Sequence, residues 1–282
     1  MQFLTTARLN YELMNEATIL ASIKCMRTPG QTVLSEILSS DRPAEMTDLV
    51  HDMAHGTYTR INIHSPGPLS LQYSAQATPT HSLIAGASLT SPHPSTLPAE
   101  LLPFIYPSRY CQSDRLREVA EEIAGNELSA FAKVSRIVDW IHQHISYAPG
   151  TTSEQDSATD ILEKRSGVCR DFSHLAIALV RALSIPARYL TAYAAQLEPQ
   201  DFHACFEAYL GEQWCLFDPT HLAPLNGIVR IASGHDASDT ALASLYGDIV
   251  GSEVQVCCTS QSPLSPITQD ELRQSKTAFV LG

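Results

Sequence analysis

The stretch Gly167-Val168-Cys169-Arg170-Asp171-Phe172-Ser173-His174-Leu175 decides how the rest of this 282-residue chain is read. Counted from Phe172, the residues Leu175, Ala176, Leu179, Val180 and Leu183 follow at spacings of 3, 4, 7, 8 and 11, the pattern of one buried helical face. Ser184-Ile185-Pro186 ends the helix, because proline disfavours helix in the residue before it. Cys169 is therefore expected at a helix N-terminus. There the unpaired backbone N–H groups and the macrodipole favour a thiolate, and the same N–H groups could hold an oxyanion. Gly167 lets an acyl group approach that terminus closely. Read alone, the cysteine fits a packing role as well, since free cysteine is among the most buried residue types.

Beyond Pro186 the apolar period changes to 2. Ala187–Ala194 reads as a strand, and His203–Leu210 and Trp214–Asp218 read as a hairpin about Gly211-Glu212-Gln213. His203 opens the first strand of that hairpin and Asp218 closes the second, so the two ends are neighbours across the pair. A cysteine nucleophile needs a base to take its proton and a group to orient that base. A helix start aimed at the hairpin would bring Cys169, His203 and Asp218 together, at separations of 34 and 15 residues. Asp218 would then fix the imidazole tautomer. The Cys169 N–H is one oxyanion donor, and the Tyr147 hydroxyl is a second candidate.

Upstream, helical periodicity places helices over about 116–123 (Ser113 as cap, Gly125 as stop), 128–145 and 157–164. Residues 1 to about 80 alternate in period 2, as in Leu9, Tyr11 and Leu13. Ser65-Pro66-Gly67-Pro68 reads as the turn of a hairpin. Pro92, Pro94, Pro98, Pro103 and Pro107 mark a linker. Residues 225–258 read as strand and turn, with a short helix over 238–246, and residues 260–282 as a loosely held tail. The expected organisation is α+β: an antiparallel β-sandwich-like domain (1–90), a proline-rich linker (91–108), a catalytic domain (109–259) and a C-terminal tail (260–282).

A net charge of −12, from 30 acidic against 18 basic residues, argues against nucleic acid and anionic membrane surfaces as partners. No stretch reaches the roughly 20 apolar residues of a bilayer span, and the N-terminus lacks the pattern of a signal peptide. Seven cysteines, an odd number without regular spacing, fit reduced thiols in the cytoplasm better than a disulfide framework.

Gly167-Val168-Cys169-Arg170-Asp171-Phe172 with Ala182-Leu183-Ser184-Ile185-Pro186-Ala187-Arg188-Tyr189 resembles the core of the transglutaminase-like superfamily. His203-Ala204-Cys205-Phe206-Glu207-Ala208-Tyr209 and Trp214-Cys215-Leu216-Phe217-Asp218-Pro219-Thr220 are similar to its second and third motifs, in the same order. The N-terminal strands and Gly234–Asp239 also resemble bacterial members that carry a transglutaminase-like N-terminal domain. The resemblance implies a papain-like core, with Cys169 as nucleophile, His203 as base and Asp218 as orienting carboxylate. It departs at Cys205, where many relatives have tryptophan, and at Ser184, where glycine is commoner.

Other polar residues read as structural. Asp171 is a first-turn carboxylate favoured by the helix N-terminus, His174 lies off the Cys169 face, Arg188 suits pairing with a carboxylate, and Glu207, on the His203 face of its strand, suits either support behind the site or a partly buried ion pair. His142 and His144 point to different helix faces. His51, His55, His64, His81 and His93 fit no standard metal spacing. His235, Asp236 and Asp239 suit turn capping, and Cys25, Cys111, Cys205 and Cys215 suit packing. Cys257 and Cys258 are adjacent strand thiols facing opposite ways. No metal and no cofactor are expected. The implied enzyme is a cysteine peptidase or amidase acting on a peptide or protein through a thioester. The alternatives are an acyltransferase that uses the same acyl-enzyme, or a catalytically inactive binding module.

Overall fold

The computed structural model describes residues 1–50, 56–127 and 129–282. The expectations for His51, His55 and Leu128 fall outside the described residues. In chain order, the strands of the N-terminal part are β1 (Phe3–Ala21), β2 (Gln31–Ser40), β3 (Glu45–Val50), β4 (Thr57–Ile63), β5 (Gly67–Pro79) and β6 (His81–Ala85). Then come α1 (Arg117–Ala124), α2 (Ala130–His144), β7 (Ser146–Tyr147), α3 (Ala158–Lys164), β8 (Ser166–Gly167) and α4 (Cys169–Ala182). The remainder is β9 (Ala187–Ala194), β10 (Phe202–Leu210), β11 (Gln213–Phe217), β12 (Ile228–Gly234), β13 (Ala243–Ser260), α5 (Gln269–Ser275) and β14 (Thr277–Leu281). The fold is mixed α+β with antiparallel sheets. Among the described residues, no helix is long and apolar enough to cross a membrane.

The N-terminal sheet is built around β1. Its alternation turns Phe3, Ala7, Leu9, Tyr11 and Leu13 inward and leaves the residues between them more exposed. Residues Phe3–Leu13 pair with β5 and residues Ala17–Ala21 with β4, so β5 and β4 follow one another along the same edge of β1. They do not form the expected hairpin. The turn at 65–66 instead carries the chain from one half of β1 to the other, where β1 itself shifts register between Leu13 and Ala17. The strands make one six-stranded antiparallel sheet, ordered β2-β5-β1-β4-β3 with β13 along the other edge of β1. The apolar face of this sheet buries against β9 and β12. Tyr193 stacks on Tyr73 with 6.2 Å between ring centroids, and its hydroxyl donates to the Ile23 carbonyl at 2.7 Å.

The second sheet runs β12-β9-β10-β11-β14-β6. Helix α4 lies on β9 and β10 and is covered by α1, α2 and α3, so Ser173, His174 and Arg181 are buried along with its apolar residues. One buried face was expected. A helix enclosed on all sides also needs partners for its polar residues. Arg181 finds them in the carbonyls of Tyr106, Ala187 and His235 and the Ser108 hydroxyl. At the end of α4 the Ser184 N–H donates to the Arg181 carbonyl and the Ile185 N–H to that of Val180, at 2.8 and 3.3 Å. This is the helix-ending motif that favours glycine, and Ser184 accordingly has φ +59.

The C-terminal expectations need correcting. Residues 238–246 hold no helix: Ala243 begins β13, an 18-residue strand that belongs to the N-terminal sheet. Residues 277–281 are not a loose tail. As β14 they bridge β11 and β6, with Ala278 and Phe279 buried, so the strand β6 from the N-terminal part joins the second sheet. The proline-rich stretch is packed down as well: Phe104 stacks on His235 at 5.1 Å and sets its edge on Trp214 at 5.4 Å. Helix α2 begins at Ala130, where the Ser129 hydroxyl caps it by accepting from the Ala132 N–H. Ser113 caps no α-helix and instead opens a 3-10 turn ahead of α1.

Candidate active site

Cys169 is the first residue of α4, after an extended Val168. The Asp171 carboxylate reaches back to the Val168 N–H at 3.0 Å, accepts from the Thr152 hydroxyl at 2.7 Å, and is clasped by the Arg170 guanidinium at 2.7 Å. This is the helix-start role expected of Asp171. It also supplies a different reason for Gly167: a Cβ there would lie 2.7 Å from the Asp171 Cβ. The parallel pair β7–β8 sets Tyr147 opposite Gly167, two residues before Cys169. Burial, then the Cys169 thiol, push the pKa of the Tyr147 hydroxyl up to about 12, against the lowering effect of His203 and of the hydrogen bond from the Cys169 N–H. The ring packs on Phe172 at 5.8 Å.

His203 and Asp218 come together as the hairpin implied. His203 Nε2 lies 2.8 Å from Asp218 Oδ2, and their side chains are 1% and 0% exposed. The other Asp218 oxygen accepts from the Thr220 N–H at 2.9 Å and the Thr220 hydroxyl at 2.7 Å. Burial alone would lower the His203 pKa. The Asp218 charge, the Cys205 thiol, the hydrogen bond to Asp218 and the Cys169 thiol together drive it well above the usual histidine value. For Asp218 burial acts upward, but His203 and the Thr220 donors outweigh it and hold the carboxyl below the usual range. His203 Nδ1 is buried and has no hydrogen-bond partner among the described residues.

Cys169 and His203 both line a cleft of about 620 Å³, together with Tyr110, Arg170 and Tyr189. One wall comes from Ala243, Ser244 and Leu245, at the start of β13, so the N-terminal sheet reaches the cleft through that strand. In chemical terms, a partly exposed thiol at a helix N-terminus shares a cleft with an imidazole that is backed by a buried carboxylate. That arrangement can generate a thiolate and return a proton to a leaving group.

Two supporting residues went unread in the sequence. Thr220 holds Asp218 through an Asp-x-Thr side-chain turn, a signal that the sequence carries at 218–220. Gln269, buried on α5, accepts from the Asp218 N–H at 3.2 Å, but it lies 51 residues away in the segment expected to be loose. Cys205 is buried in the apolar core, as expected of a packing residue; its sulfur, a His203 ring nitrogen and an Asp218 carboxylate oxygen all lie within 4.8 Å of one another.

The remaining polar residues lie elsewhere. Arg188 pairs with buried Glu207 at 2.5 Å and covers the Trp214 ring. His174 is stacked on Tyr110 at 4.9 Å, accepts from the Ala237 N–H, and is pushed by burial to a pKa of about 3. Asp236 and Asp239 cap their own turn, holding the backbone of Ser238 and of His235. His142 stacks on His221, and His144 on Trp140, on separate surfaces. His64 faces Glu45, His81 stacks on Phe279 and His93 caps a short turn. Cys257 is exposed and Cys258 buried.

Residues 117–219 match the transglutaminase-like superfamily, and residues 1–92 match the bacterial transglutaminase N-terminal domain. A crystal structure from Cytophaga hutchinsonii, described as "a Putative Cysteine Protease", is 38% identical with a TM-score of 0.95, over 100% of this chain and 98% of that one. An uncharacterized protein of Mycobacterium leprae is 31% identical over 145 residues, 47% of this chain and 50% of its own. An uncharacterized protein of Mycobacterium tuberculosis is 37% identical over 59 residues, 21% of this chain and 19% of its own. The chain thus spans about half the length, or less, of the curated relatives it matches. Since the Cytophaga structure shares the whole fold at that identity, and the core match runs through Cys169, His203 and Asp218, the chain belongs to the transglutaminase-like superfamily.

Proposed function

We propose that the protein is a cysteine hydrolase that cleaves amide or peptide bonds, with Cys169 as nucleophile, His203 as acid and base, and Asp218 as its orienting carboxylate. The observation that carries this reading is the sealed His203–Asp218 pair, whose imidazole shares a cleft with Cys169. The Cys169 thiolate attacks the substrate carbonyl, and a C–S bond forms. The developing oxyanion sits at the α4 N-terminus, taking the Cys169 N–H and the Tyr147 hydroxyl as donors. The C–N bond then breaks, the amine leaves with the proton held by His203, and a thioester remains. His203 next takes a proton from water as the water oxygen bonds to the thioester carbonyl carbon; the C–S bond then breaks, the carboxylic acid leaves, and the thiolate is restored.

An amine entering in place of water would make the same protein an acyltransferase, since the acyl-enzyme is common to both outcomes. Hydrolysis is favoured because the cleft opens to solvent at a partly exposed Cys169. The substrate is a peptide or protein, neither nucleic acid nor membrane, and the reduced cysteines suit the cytoplasm. Iodoacetamide labelling followed by peptide mass spectrometry tests the nucleophile. Selective alkylation of Cys169 near neutral pH, abolished in His203→Ala, is expected; seven equally slow cysteines would overturn the reading and favour a binding module. A peptide and glutamine-amide library, assayed with and without a primary amine, separates the acyl acceptors: ammonia or amine release without amine incorporation is the hydrolase result.

A further inference from the structure

Cys205 has no place in the mechanism above, yet it is fully buried beside the two groups that govern proton transfer. It stands two residues along β10 from His203. The ligand atoms of His203, Cys205 and Asp218 lie within 4.8 Å of one another, the one such group of three among the described residues. An imidazole nitrogen, a thiol sulfur and a carboxylate oxygen are the donor types that tetrahedral zinc takes. The geometry points to a binding site for a thiophilic divalent cation, Zn²⁺ in the first instance, formed by His203, Cys205 and Asp218, at which the ion reversibly shuts off the enzyme.

The distances permit it. Zinc bonds of about 2.0–2.3 Å place tetrahedral ligand atoms about 3.3–3.7 Å apart. The nitrogen–oxygen pair, now 2.8 Å apart and bridged by a proton, would open by roughly half an ångström, and the sulfur would close by about one at most. The charges permit it as well. On binding, the thiol of Cys205 gives its proton to solvent, and the ion replaces the proton between His203 and Asp218. One dication then meets one thiolate and one carboxylate, so the buried site has no net formal charge. Thr220 already holds the second Asp218 oxygen through two hydrogen bonds, which is the outer support a carboxylate ligand needs. The proton displaced from His203 Nε2 passes to solvent, and the ring stays neutral with its proton on Nδ1, which has no partner among the described residues.

Loss of turnover on binding rests on the proposed role of His203; binding of the ion does not. Co²⁺ is therefore added to the reduced full-length chain, made metal-free with a chelator, as a spectroscopic probe. One equivalent is expected to give a thiolate-to-cobalt charge-transfer band and the intense visible bands of a tetrahedral ion, both removed by competing Zn²⁺. The bands should disappear in Cys205→Ala and in the near-isosteric Cys205→Ser, and persist in Cys169→Ala and Cys257→Ser. Absence of the band in the folded native chain, or its persistence in both Cys205 variants, overturns the site. In the activity arm, the Zn²⁺ concentration for half-inhibition should rise in Cys205→Ala by more than the roughly 10–100-fold that losing an outer-sphere partner costs. A cobalt site without inhibition would keep the site and refute the role of His203.

Discussion

Replacing Asp218 by asparagine tests the structure where its electrostatics are most concentrated. Asp218→Asn keeps the shape of the side chain while removing the charge that His203 faces. Both groups are essentially sealed from water, at 1% and 0% exposure. Removing one partner of a buried ion pair costs about 3–5 kcal/mol, because the charge left behind has neither counter-ion nor solvent. The cost has a definite pH window. The folded pKa of His203 lies above its usual 6.5, so its contribution is complete below 6.5 and is lost as pH rises through the folded value. The folded pKa of Asp218 lies below 3.8, so its contribution is present above 3.8 and is lost as pH falls through the folded value. Urea unfolding should therefore separate native and variant protein by about 3–5 kcal/mol near pH 6, and by less as pH is raised and His203 loses its proton in both. With the orienting charge gone, kcat/KM should fall roughly 10²–10⁴-fold, or about 2.7–5.5 kcal/mol at 1.36 kcal/mol per decade. The alkaline limb of its pH profile should move down toward the ordinary histidine value. A variant with the native urea midpoint near pH 6 and an unmoved alkaline limb would refute the argument that Asp218 charges the ring.

Other expectations follow from single contacts. Gly167→Ala would drive a Cβ against Asp171 and should cost about 1–3 kcal/mol by urea titration; a neutral result would mean that the α4 N-terminus yields freely. Tyr147→Phe should lower kcat roughly 10²–10³-fold with its urea midpoint unchanged, and a rate within twofold of native would remove the hydroxyl from the oxyanion role. Ser184→Gly should raise stability by about 0.5–1 kcal/mol, since Ser184 is held at φ +59; no gain would show that the serine side chain compensates for its backbone. Deleting residues 277–282 should abolish cooperative thermal unfolding, because β14 joins β11 to β6; a sharp native-like transition would contradict its place in the sheet.

Much of the candidate site was legible because its parts are local. The start of α4 was written in the spacing from Phe172 to Leu183, and the meeting of His203 with Asp218 in a hairpin with a short turn. Charge marked Arg188 for a carboxylate and Glu207 for an ion pair, and the strand register joins them to one another. What stayed hidden depends on distant partners. Period-2 alternation identifies a strand but not its neighbour, so β4 and β5 read as a hairpin although each pairs with β1. Residues 243–246 read as the end of a short helix, and the rest of β13 as strand and turn, until β1 supplies one continuous ladder. Gln269 and Cys205 carry no motif of their own, and only the folded chain brings them to Asp218.

The pairing of β1 with β13 also constrains how the protein is made. Phe3 stands opposite Ser260 in the β1–β13 ladder, so β1 leaves the ribosome long before the strand that closes its edge. At roughly 5–20 residues per second, that interval is on the order of 10–50 s. Throughout it the β13 edge of β1 stays open, and its apolar face has no native cover until β9 and β12 emerge, while the helices around Cys169 can already pack on local contacts. Newly made chains are thus exposed to chaperones and to self-association at their N-terminal end, and a nascent chain cannot finish its N-terminal sheet until the segment that also walls the cleft, Ala243–Leu245, has been synthesised.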